Sequence, residues 1–235
     1  MSDASEVAAF AAARANVLER IARACARGNR PADEVQLVAV SKTVPASRLR
    51  AAVEAGLGVL GESRVQEAAA KVPEVAGARW HLVGPLQSNK ARRGVALFEV
   101  IETVDTVALG RRVAALGEEL DRSPVTVLLQ VNVDADPAKA GFGPDKVAAA
   151  VAELAPLPGL RVEGLMTVGR LVIDPEQARG TFRALRGLSG RLRDAGVPLG
   201  PALSMGMSDD FEVAVEEGAT IVRVGRALFG ERQTG

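Results

Sequence analysis

The sequence predicts a (β/α)8 TIM barrel of the α/β class, preceded by an additional N-terminal helix. Three observations carry this. Eight short apolar runs alternate with helix-like stretches over 235 residues, a length at which an α/β barrel commonly forms one domain. Several runs are rich in Val, Ile and Leu with little polar alternation, the pattern of parallel strands buried on both faces. The rival is a doubly wound open sheet, whose dinucleotide form places G-x-G-x-x-G after its first strand. Here that strand runs into Ser41-Lys42-Thr43-Val44-Pro45, with no glycine.

Residues 4–28 read as the opening helix: Phe10, Val17, Ile21 and Cys25 share one stripe, and Gly28-Asn29 with Pro31 ends it. The strand candidates follow at 36–41, 58–61, 79–83, 98–103, 125–133, 160–168, 201–205 and 220–224. Between them, residues 106–120 repeat Leu109, Val113, Leu116 and Leu120 at helical spacing, while Arg111, Arg112, Glu118 and Glu119 face elsewhere. Gln87-Ser88-Asn89-Lys90 begins a helix after the third run. Asp209 and Glu212 have capping-box spacing for a helix that ends near Gly218. No composition shift or linker marks a second domain, so 1–235 is expected to be one domain: a helix within 1–30 packed on a barrel of 31–235. Pro156-Leu157-Pro158-Gly159 is a turn of barrel-loop length.

Composition narrows the chemistry. Lys+Arg 29 balance Asp+Glu 29, which leaves no electrostatic reason to expect nucleic acid or an anionic membrane as partner. A single cysteine (Cys25) and a single histidine (His81) exclude a disulfide framework and the usual zinc sites, so no metal is expected. No run approaches the ~18 apolar residues of a membrane span. The acidic start and Arg14, Arg20 and Arg23 do not fit a secretory signal, and cytoplasmic residence is the expectation. A closed barrel leaves no sheet edge to pair, so a monomer is expected. Tyrosine is absent.

In barrels the active groups gather at the C-terminal ends of the strands. Lys42 ends the apolar run Leu37-Val38-Ala39-Val40-Ser41 and points to the barrel mouth, where partial desolvation favours the neutral amine that condenses with aldehydes. The alternative is a lysine that snorkels to solvent. Ser204-Met205-Gly206-Met207-Ser208 and Gly225-Arg226 follow the seventh and eighth runs, where barrels often bind phosphate; both would also serve as tight turns. Arg223 lies within Ile221-Val222-Arg223-Val224 and needs a partner for its charge, either a carboxylate or a ligand acceptor such as a pyridine nitrogen. Schiff-base lysine, phosphate cradle and ring-nitrogen arginine together describe a pyridoxal 5′-phosphate (PLP) pocket. His81 has two readings, a residue near the cofactor ring or a buried strand residue satisfied locally.

At these residues the chain resembles the pyridoxal phosphate homeostasis protein family. The resemblance runs through Leu37-Val38-Ala39-Val40-Ser41-Lys42-Thr43, Gly61-Glu62-Ser63-Arg64-Val65-Gln66-Glu67 and Trp80-His81-Leu82-Val83-Gly84-Pro85-Leu86-Gln87-Ser88-Asn89-Lys90. It continues through Gly164-Leu165-Met166, Leu203-Ser204-Met205-Gly206-Met207-Ser208-Asp209-Asp210 and the segment from Val222 to Arg232. It implies PLP fold type III, a barrel like the N-terminal domain of alanine racemase without a second domain. It further implies PLP held as an internal aldimine on Lys42, with Ser204, Gly206, Gly225 and Arg226 around the phosphate and Arg223 at the pyridine nitrogen. Met166 would line the pocket, and Ser63 would lie near the cofactor. The chain departs from the family in two places: Ser63-Arg64 stands for Asn-Tyr, and Arg226 for a threonine.

Three functions compete. The first, favoured, is a non-enzymatic PLP-binding protein of intracellular vitamin B6 homeostasis, with PLP-dependent apoenzymes as prospective partners. The second is a PLP-dependent amino-acid racemase, whose second base in the alanine racemase pattern is a tyrosine this chain lacks. The third is a class I aldolase, which typically carries its lysine on a late strand; the last four strand runs contain none.

Overall fold

A computed structural model describes residues 3–169 and 172–230. The Glu231-Arg232 end of the last matching segment therefore lies outside the described residues. The strands are β1 (Gln36–Val40), β2 (Val59–Glu62), β3 (Arg79–Leu82), β4 (Val100–Val104), β5 (Val125–Gln130), β6 (Leu160–Met166), β7 (Ala202–Ser204) and β8 (Ile221–Val224). Each pairs in parallel with the next, and β8 pairs with β1, so the sheet closes into the eight-stranded barrel the alternation predicts.

Several strand ends depart from the sequence reading by one to three residues, two of them for evident local reasons. Phe98 closes the helix α4 (Ala91–Leu97), donating its N–H to Gly94, so the fourth strand begins later, at Val100. That helix grows from a 3-10 turn at Ser88–Lys90, where the helix start is read. At the fifth strand, residues beyond Gln130 turn into a loop that Asn132 organises by donating to Asp136 and Lys139 carbonyls.

The core has two parts. A small interior cluster holds Val38, Val59, Leu128, Met166 and Ile221, and a larger shell lies between the sheet and the surrounding helices. The outer helices include α2 (Ala46–Glu54), α3 (Val65–Lys71), α5 (Val107–Glu119), α6 (Val147–Leu154), α7 (Arg179–Asp194) and α8 (Phe211–Glu216). Among the described residues β8 is followed by a single helical turn, α9 (Arg226–Phe229). The opening helix α1 (Ala4–Arg27) packs on α8, α2 and α9, and so fills the place in the ring that a full helix after β8 would take. Its stripe of Phe10, Val17, Ile21, Ala24 and Cys25 is buried there. Arg20–Glu212 at 3.3 Å and Arg27–Glu216 at 2.6 Å tie it to α8, and Phe10 meets Phe229 edge-on at 5.6 Å.

The capping box expected at Asp209 and Glu212 does not form. The N-cap of α8 is Asp210, whose carboxylate accepts from the Met207 N–H at 2.6 Å rather than from a helix N–H. Glu212 is drawn to Arg20 on α1, and Asp209 to Arg226. Charged partners from other elements thus outcompete the local cap.

Candidate functional site

The strand C-termini open into a cleft of about 970 Å³. Lys42, Ser63, Ser208, Arg223, Gly225 and Arg226 are among its lining residues, with Val83 and Val168 as apolar walls. Five of the nine predicted site residues (Lys42, Ser63, Arg223, Gly225 and Arg226) are therefore brought together. The other four, His81, Met166, Ser204 and Gly206, are buried and do not border the cleft. A smaller hollow of about 370 Å³, beside Arg111, Glu118 and Pro158, touches no strand end.

Lys42 is held at its place by its neighbours. Ser41 donates its N–H to the Gly61 carbonyl at 2.9 Å and its hydroxyl to Glu62 at 2.7 Å. Lys71, from α3, donates to the Ser41 carbonyl at 2.9 Å and to the same Glu62 oxygen at 2.6 Å. On the other side Thr43 has φ 67°, a left-handed conformation that a β-branched residue adopts at a cost of roughly 1–3 kcal/mol. The segment carrying the amine is thus over-determined on one flank and strained on the other. The second carboxylate oxygen of Glu62 is buried and has no hydrogen-bond partner.

Around the rim, Arg226 pairs with Asp209, joining the loops that follow β8 and β7. The Gly225 N–H donates to the Ser208 hydroxyl at 3.1 Å, a second link between them. Gly206 has φ 91°, and a Cβ there would lie 2.5 Å from the Ala214 Cβ and 2.9 Å from the Phe211 Cα. Only glycine fits that turn.

Beneath the cleft runs a chain of polar groups that sequence reasoning did not assemble. Arg223, 4% exposed, donates to the Ser204 hydroxyl at 2.5 Å and to the Thr167 carbonyl at 2.8 Å. Ser204 donates to Glu102 at 2.6 Å, and the other Glu102 oxygen lies 2.7 Å from His81 Nδ1. Burial opposes ionisation of Glu102, but the hydrogen bond and charge of His81, the charge of Arg223 and the Ser204 hydrogen bond hold its carboxyl below the usual range. An ionised carboxylate only accepts, so His81 Nδ1 carries the proton and donates. Burial also lowers Arg223 from its ordinary value, against the attraction of Glu102 and Asp210, but a guanidinium in a protein stays charged. Asp210 is pushed up by its burial. Of the two partners open to Arg223, the structure supplies the carboxylate through Ser204, while the residue still borders the cleft.

A closed parallel barrel with a lysine after its first strand and an arginine on its last defines a class, the alanine racemase type of barrel. The alanine racemase N-terminal domain model matches residues 12–233, and the chain belongs to that family. It is 40% identical to the pyridoxal phosphate homeostasis protein of Aquifex aeolicus, over 92% of this chain and 96% of the relative. The structure of PipY of Synechococcus elongatus with PLP bound superposes with a TM-score of 0.79 at 40% identity, covering 91% of this chain and 100% of that one. An alanine racemase of Clostridium difficile shares the fold alone, at 14% identity and TM-score 0.73, with 57% of its length matched.

Proposed function

We propose that this chain binds PLP in the barrel-mouth cleft and serves intracellular PLP homeostasis, holding the cofactor rather than turning over a substrate. The observation that carries this is the convergence of Lys42, Arg223 and the loops after β7 and β8 on one cleft. The donor set suits the group: cationic Lys42, Arg48, Arg223 and Arg226 surround the cleft against Asp209 alone, which favours a small dianionic phosphate ester. Bound PLP supplies an aldehyde for a lysine amine and a pyridine ring able to delocalise electrons. Lys42 would receive the aldehyde, and Ser208, Gly225 and Arg226 would form the phosphate cradle, with Gly206 shaping the turn that carries Ser208. Arg223, a permanent cation, would donate to the ring nitrogen and keep it unprotonated, which limits the ring as an electron sink. Ser204 and His81 would act from beneath through Arg223 and Glu102, Met166 would form the interior floor, and Ser63 would approach the ring from β2.

The non-enzymatic part of the reading rests on the supply of bases. Racemisation needs a base on each face of a substrate carbon. Cys25 is buried on the inner face of α1 and His81 is bonded to Glu102, and neither borders the cleft opposite Lys42. Delivery to PLP-dependent apoenzymes, cytoplasmic residence and a monomeric state complete the proposal. Among the described residues no helix is long and apolar enough to cross a membrane, and no group of acidic, His or Cys side chains is placed to hold a metal. The test is borohydride reduction of the PLP-loaded protein followed by peptide mass analysis. The adduct should map to Lys42 and vanish in Lys42→Ala; an undiminished adduct in that variant refutes the assignment.

A further inference from the structure

We propose that Glu102, backed by His81, is a positioning residue that aims Arg223 at the ring nitrogen of the bound cofactor. The inference rests on the PLP reading above and extends it to two residues that do not border the cleft. A guanidinium has five N–H donors in a rigid plane. Two directions of that plane are taken: Nη1 to Ser204 at 2.5 Å and Nη2 to the Thr167 carbonyl at 2.8 Å. The Ser204 hydroxyl has one proton, and the ionised Glu102 takes it, so Ser204 must accept from Arg223. Glu102 is itself fixed from its far side by His81 at 2.7 Å. The donors therefore converge on Glu102, from Arg223 through Ser204 on one side and from His81 on the other, across β3, β4, β7 and β8 inside the barrel.

Glu102 is fully buried, where a carboxylate is costly unless it has a task or a partner. Asp210 also attracts Arg223, but its carboxylate is already engaged by the Met207 N–H, and no hydrogen bond joins it to the guanidinium. Replacing Glu102 by glutamine preserves shape, removes the charge and presents an NH₂ to one of two neighbours that now donate. The plane of Arg223 then loses the anchor that sets its angle to the cleft.

The measurement compares dissociation constants for PLP and for its 1-deaza analogue, in which carbon replaces the ring nitrogen. A charge-assisted hydrogen bond to that nitrogen should make the native protein prefer PLP by about tenfold or more. In Glu102→Gln the preference should fall to about threefold or less while affinity for the analogue changes little, since the analogue never used the bond. Ser204→Ala, which cuts the same chain with a smaller perturbation, should also lose the preference and keeps the test open if Glu102→Gln does not fold. Both variants should retain the borohydride-fixed adduct on Lys42 at saturating PLP. An unchanged preference, or an equal loss of affinity for both ligands, overturns the positioning role. If the native protein shows no preference yet forms the Lys42 adduct, the PLP reading stands and this inference falls; absence of the adduct removes both.

Discussion

Glu102 shows what a single buried charge does to the molecule. Its carboxyl is held below the usual range when folded, so the unfolded chain binds a proton first as pH falls through about 4.3. The stability it contributes is complete above that value and is lost as pH drops toward the folded-state pKa. We expect Glu102→Gln to lose roughly 3 kcal/mol at pH 7, where it leaves Arg223 without its main counter-charge. It should also show a flatter decline of stability between pH 5 and pH 3.5, measured by urea unfolding at each pH; a decline as steep as the native one would show that Glu102 carries no charge in the fold. At this scale the sequence was partly legible. Lys42 was visible because it interrupts an apolar strand at its end, and Arg223 because a charge among Ile221, Val222 and Val224 demands a partner. Which partner was not visible, because only closure of the sheet brings β4 across from β8. The resemblance puts Ser204 beside the phosphate; in the structure its hydroxyl joins Glu102 and Arg223, and Ser208 borders the cleft.

The turn after β7 places the rim, and its geometry depends on one glycine. Gly206→Ala puts a methyl 2.9 Å from the Phe211 Cα, a backbone atom that cannot swing aside, and forces alanine to φ 91°. We expect a loss of roughly 2–3 kcal/mol, or about 4–12 °C in Tm for a chain of this size, together with weaker PLP binding. Gly196→Ala is the control: φ there is 78° but nothing lies within 4 Å, so backbone strain acts alone and the Tm change should be about half as large. Equal shifts in the two variants would show that the packing at Gly206 matters less than its φ. The elements themselves were the most legible part of the molecule, since each strand and helix announces its own period. Their caps were less so: the Asp209–Glu212 spacing is local, whereas the ion pairs that claim both residues reach to other elements.

For the molecule as a whole, α1 is the piece that completes the outer ring. Ile21→Ala removes a fully buried side chain from that seam and should cost about 2–5 kcal/mol. If helix and barrel form one cooperative unit, as we propose, the Trp80 fluorescence on β3 and the far-ultraviolet circular dichroism should melt together in both native and variant proteins. A separate early transition seen only by dichroism would mean that the helix melts alone. The fold class could be read from the alternation, but the use of the first helix to finish the ring could not, because only closure of the barrel brings α2, α8 and α9 together around it. That arrangement orders events during synthesis. The first strand waits for the eighth and the first helix for α8, so a nascent chain still attached to the ribosome carries an unzipped sheet and a naked amphipathic segment until α8 and β8 have emerged.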